Sequence, residues 1–105
     1  MDRKTLENKF DNDMHNIPIE TLKFGYNPTY FLKMLSEKGG YLTAKELIKS
    51  DNLQSGFTKL WEEGRLDLSV EAHVIKLEYS ELFTDAERQT CIKRLEDYGY
   101  KSNEG

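Results

Sequence analysis

Apolar residues recur along this chain at helical spacing, with turn and capping residues between the runs. Leu6, Phe10, Met14 and Ile17 line one face of a first amphipathic helix, leaving Asp11, Asp13 and Asn16 to water. Pro18 is expected to end or kink that helix near residues 15–17, because its ring clashes with the preceding turn and it has no amide to donate. Ile19, Leu22 and Phe24 then read as a second helical piece up to Gly25. Asn27-Pro28 is a helix start, a cap followed by proline at the first helical position. Phe31, Met34 and Leu35 face inward from that helix, with Tyr30 and Leu32 on its flanks, and Gly39 and Gly40 close it.

Residues 39–71 hold the densest run of boundary signals and the only tryptophan. Thr43 and Glu46 have the spacing of a capping box, and Leu42 and Leu47 stand at the staple positions around it. Ser50 or Asp51 caps the next helix, where Leu53, Phe57, Leu60 and Trp61 recur at i, i+4, i+7 and i+8, which places Trp61 in the core. Gly64 ends it. Gly56 lies on the same stripe, where a missing side chain lets another helix approach closely.

Residues 66–77 fit two patterns. Leu66, Leu68, Val70, Ala72 and Val74 alternate as a strand would, yet Val70, Val74 and Leu77 also fit a helix that Ser69 would cap. A short helix over residues 69–76 is the preferred reading, since Ile75 breaks the alternation and no partner strand is visible. Residues 79–83 read as another helical turn. Thr84 and Glu87 form a second capping box, opening a last helix whose inner face carries Cys91, Ile92, Leu95 and Tyr98 before Gly99 stops it. The expectation is an all-α fold: a single domain over residues 1–100, built of five to seven short helices, and a flexible tail at 101–105.

Length and composition narrow the classes. A chain of 105 residues with 37% hydrophobic content can build one core without metal or disulfide staples. Cys91 stands alone, so no internal disulfide forms, in keeping with a reducing compartment. No apolar run approaches the ~20 residues of a membrane span, and the charged N-terminus lacks a secretory apolar segment. A cytoplasmic protein that avoids membranes is expected. A net charge of −4 weighs against a nucleic-acid surface.

Candidate chemistry is sparse. Asp11 and His15 are spaced i, i+4 and could share a metal, but no third ligand is identifiable. Cys91 with His15 or His73 could form a nucleophile–base pair; its place on an apolar stripe favours a buried structural thiol. His73, between Ala72 and Val74, reads as a surface or satisfied core histidine. Glu62, Glu63, Asp67 and Glu71 surround Arg65, as a solvated helix end with one internal salt bridge or as a surface for a cation or a basic partner. Arg65 and Asp67 read either as a clamp on the helix end or as part of a recognition surface. Six tyrosines add interface-prone area. No catalytic residue, cofactor or metal is assigned. The candidate interaction surface is Tyr41, Lys59, Glu62, Glu63, Arg65, Asp67 and Glu71.

The runs GGYLTAKELI, GFTKLWEEGRLDLSVEAHVI, YSELFT and RLEDYGY together resemble a group of small bacterial and prophage-borne proteins, the likeness beginning at GYNPTYFLKML and reaching the closing helix. Similar segments accompany restriction or nuclease modules, so the resemblance implies a setting of phage–host conflict; it transfers no catalytic residue. The expected function is a non-catalytic module that binds another protein, as accessory or inhibitor of a nuclease or defence system. The alternative is a DNA-binding helix-turn-helix protein, with residues 43–48 and 53–63 as its helix pair and Gln54, Ser55, Thr58 and Lys59 facing the groove. Glu62 and Glu63 on that face would repel phosphate.

Overall fold

The computed structural model describes residues 2–50 and 55–100. Asp2 opens helix α1 (Arg3–Leu22), its carboxylate accepting the Thr5 amide at 2.8 Å. The expected break at Pro18 does not occur, and Ile19 and Leu22 continue the same helix. Proline removes one intrahelical bond at a cost of about 3 kcal/mol. Here Ile17, Pro18 and Thr21 are all buried, and the Thr21 hydroxyl donates to the Pro18 carbonyl at 3.1 Å. Packing on both sides of the proline outweighs the local penalty. Ile19 and Leu22 fall on the outer side and are exposed.

Helix α2 (Thr29–Lys49) begins one residue later than the sequence suggests, with Pro28 as an N-cap that offers no side-chain bond. Met34 and Leu35 are buried, and Tyr30 and Leu32 are exposed. Gly39 breaks the helix at φ 79° and ψ 173°, a conformation essentially confined to glycine. The helix resumes at once. The Gly40 amide donates to Asp11 Oδ1 at 2.6 Å, so the cap comes from α1 across the interface.

That displaces the expected Thr43–Glu46 capping box. Thr43 lies a full turn inside the helix, fully buried with its hydroxyl unpartnered, while Glu46 pairs with Lys38. Leu42, expected at a staple position, is exposed. The assignments of Asp51, Leu53 and Gln54, and the tail expected at 101–105, lie outside the described residues.

Helix α3 (Ser55–Glu62) buries Phe57 and Leu60 but leaves Trp61 48% exposed, correcting its assignment to the core. An eight-residue helix offers one inward stripe, and Trp61 sits ~100° around the axis from Leu60. It rests its ring against Tyr98 instead, 5.5 Å between centroids at 80°. Gly64, at φ 70°, ends the helix, and Arg65 N donates back to Leu60 O at 2.8 Å.

Residues 66–77 form helical pieces and no strand, and the helix expected over 69–76 is shorter, Val70–Val74. A 3-10 turn (Leu66–Leu68) leads into α4 (Val70–Val74), whose N-cap Ser69 accepts the Ala72 amide at 3.1 Å. The strand-like alternation came from a segment buried on nearly every side, with residues 68–75 all inside. The helical turn expected over residues 79–83 lies earlier, as a second 3-10 turn (Leu77–Tyr79). It precedes α5 (Asp85–Asp97), which opens with both bonds of the Thr84–Glu87 box at 3.1 and 2.9 Å.

Five α-helices and two 3-10 turns make up the fold, with no strand among the described residues. The closest pairings are α1 with α2 and α4 with α5. Phe10 anchors the core between Tyr79 (5.0 Å, near-perpendicular) and Phe83 (5.2 Å), and the Tyr79 hydroxyl donates to Asp13. Cys91 and Leu95 close the core from α5.

Candidate functional site

The C-terminal half of α1, the α1–α2 connection, α2, α3 and the start of α4 line a half-open cavity of about 280 Å³. Its walls are mainly apolar, among them Ile17, Phe31, Met34, Phe57, Leu60 and Val70. Tyr26 closes one side. A Cβ at Gly56 would stand 2.9 Å from the Tyr26 hydroxyl, so the missing side chain admits a tyrosine from the connection rather than another helix.

Glu71 also lines this cavity and is the charged group in it. Its carboxylate accepts from Arg94 Nη1 at 3.2 Å through Oε2, with side-chain exposures of 10% and 14%. Burial pushes the Glu71 carboxyl above the usual carboxylate range, against the opposing pull of its own amide and the Arg94 guanidinium. Arg94 is held in turn by the end of α2. It donates to Leu47 O and Ile48 O, each at 3.1 Å, and to Ser50 O. One guanidinium thus satisfies helix-end carbonyls and fixes the carboxylate. Glu71 is therefore not part of an exposed acidic run, where the sequence placed it.

The other expected surface residues fall into two groups. Lys59 pairs with Glu63 at 3.1 Å on α3, and Glu62 is exposed beside them. Arg65 closes on Asp67 with bonds of 3.0 and 3.2 Å, and that carboxylate raises the Arg65 pKa. These five lie on and just after α3, the helix that carries the exposed Trp61. Tyr41 is engaged elsewhere: its hydroxyl donates to Leu82 O and accepts from Arg3, both at 3.0 Å.

The remaining chemical candidates are tied into the fold. The oxygen of Asp11 that would face a metal accepts the Gly40 amide, and His15 Nδ1 lies 2.8 Å from Asp11 O. Among the described residues, no three His, Cys, Asp or Glu side chains gather as metal ligands. His73 is buried with Nδ1 2.8 Å from Ser69 O, and burial lowers its pKa. Burial also pushes the Cys91 thiol up to about 12, with Glu71 adding to the shift, far from a nucleophilic thiolate.

The cavity itself escaped sequence reasoning. Its lining comes from the Tyr26–Phe31 stretch, from α3 and from the Leu68–Glu71 stretch, and no local period links segments so far apart. The signals were present singly, as Gly56 on an apolar stripe and as a glutamate following Val70. Among the described residues no helix is long and apolar enough to cross a membrane. No family model, curated protein or solved structure matches this chain.

Proposed function

We propose that this protein is a non-catalytic module of the cytoplasm that binds another protein through the outer face of α3. The setting suggested by the resemblance is bacterial or phage genetic conflict, as an accessory or inhibitor of a nuclease or defence system. The supporting observation is Trp61. A tryptophan half-exposed on a short helix and braced edge-on by Tyr98, on a segment whose other outward residues are Lys59, Glu62, Glu63 and the Arg65–Asp67 pair, has the composition of an interface anchor among polar neighbours. The buried ionisable groups are tied into the fold: Glu71 Oε2 accepts from Arg94, His73 Nδ1 lies against Ser69 O, and the Tyr79 hydroxyl donates to Asp13. Against the helix-turn-helix alternative stands Lys59, the cation on the outer face of α3, whose ammonium is already paired with Glu63.

The test uses full-length protein and its Trp61→Ala variant, matched for helicity, as baits in host lysate. A partner should be retained by the first and lost at least tenfold by the second, and purified partner should reproduce the difference. Equal capture by both would remove Trp61 from the interface. Duplex DNA supplies the second arm. Sequence-dependent binding near 150 mM salt, at a dissociation constant on the order of 10⁻⁸ M, abolished by Lys59→Glu, would overturn the proposal in favour of DNA recognition.

A further inference from the structure

We propose that the cavity between α1, α2, α3 and α4 binds a small neutral aromatic molecule bearing one hydrogen-bond donor, a phenol or an indole, with the donor on the Glu71 carboxylate. The size of the space sets the first limit. A dry cavity of ~150 Å³ holds benzene, and about 280 Å³ accommodates a one- or two-ring molecule. The wall chemistry sets the second. Phe31 and Phe57 offer ring edges and faces and Met34 a polarisable sulfur, all of which favour an aromatic body over an aliphatic one.

The polar end is set by Glu71. Its side chain is nine-tenths buried and lines the cavity. Arg94 bonds it through Oε2 and its own backbone amide also bonds the carboxylate, which leaves acceptor capacity that no other side chain among the described residues uses. The guanidinium already balances the charge. A second cation would therefore meet Arg94's repulsion, whereas a neutral N–H or O–H gains a charge-assisted bond to an acceptor with spare lone pairs. The site thus selects a donor-bearing neutral ring rather than an amine or an acid.

Free indole, 1-methylindole and N-acetyltryptophanamide are the probes, titrated into full-length protein carrying ¹³C-labelled methionine methyls. Met34 lines the cavity and Met14 is buried in the core outside it, so each reports its own place. Indole should shift the Met34 methyl and leave Met14 still, and 1-methylindole, which keeps the ring but lacks the N–H, should bind at least tenfold more weakly. Val70→Phe should fill the space and abolish the Met34 shift; if that variant does not fold, the wild-type pair of ligands decides alone. An unmoved Met34 methyl at millimolar indole overturns the proposal, and equal affinity for the two indoles overturns the role of Glu71. Binding of N-acetyltryptophanamide without indole would instead make the cavity a receptor for a partner's side chain. Trp61→Ala should bind indole normally, so failure of the α3 interface and failure of this site are separable.

Discussion

Asp11 and Gly40 are joined by a bond of 2.6 Å from the Gly40 amide to Asp11 Oδ1, and this contact sets where the second half of α2 begins. It also sets how closely α1 and α2 pack. A Cβ on Gly40 would lie 2.9 Å from the Asp11 Cα and from the Met14 Cγ. Asp11→Ala should destabilise the fold by about 0.5–2 kcal/mol, the usual loss of a helix cap, and Asp11→Asn by less because it keeps an acceptor. Gly39→Ala forces a side chain into a conformation costing about 1–3 kcal/mol. Urea midpoints measure all three. An Asp11→Ala protein as stable as wild type would mean that Gly39 alone places the kink.

Arg94 and Glu71 form a nearly dry pair, and the two substitutions should be far from additive. Arg94→Met strands a buried carboxylate and strips three α2-terminal carbonyls of their donor, so a loss of about 3–5 kcal/mol is expected. Adding Glu71→Leu removes the stranded charge and should restore part of that loss. A double-mutant cycle by urea denaturation checks this. Simple additivity would show that the pair is not coupled as the geometry requires.

His73 gives the fold a pH dependence of definite sign. Its Nδ1 proton goes to Ser69 O, the ring is buried, and its pKa is depressed below 6.5. As pH falls, the unfolded chain takes up the second ring proton, the one on Nε2, before the folded chain does. The stability held above about pH 6.5 is therefore lost through the folded value, by at most ~1.4 kcal/mol per pH unit. Glu71 acts in the opposite sense: its carboxyl is raised above 4.5, so its ionisation costs stability as pH climbs from there. Comparing wild type with His73→Gln between about pH 7.5 and pH 5.5 isolates the histidine. The wild type should lose more over that range, and parallel curves would place His73 in water.

What the sequence disclosed and what it withheld divide on physical lines. The Thr84–Glu87 box, the Ser69 cap and the stop at Gly99 depend on bonds between residues a few positions apart, so they are legible locally. The inward set Leu6, Phe10, Met14 and Ile17 follows from helical period alone. Pro18, Thr43 and Trp61 were misread because the rest of the fold decides each: burial of the α1 face that carries Pro18, a cap supplied from Asp11, and a brace supplied by Tyr98. Of the expected surface residues, those around α3 lie near one another because they are near in sequence. Glu71 was lost to the interior because its partner stands on α5.

Phe57 and Trp61, one turn apart on α3, both meet the Tyr98 ring edge-on, at 5.0 and 5.5 Å, yet their removal should have unequal effects. Phe57 is 4% exposed and Trp61 is 48% exposed. Phe57→Ala removes a buried ring and enlarges the cavity it lines, a loss of about 3–5 kcal/mol. Trp61→Ala gives up an edge-to-face pair and part of an apolar surface that water already reaches, so the ring pair's ~0.5–1.5 kcal/mol sets the scale. The native protein should also let a neutral quencher such as acrylamide reach its tryptophan, because half of that side chain faces solvent. Urea unfolding of the two variants and quenching of the wild type address the same point by separate routes. A Trp61→Ala loss as large as that of Phe57→Ala, with fluorescence shielded from the quencher, would return Trp61 to the core and leave α3 without an anchor to offer a partner.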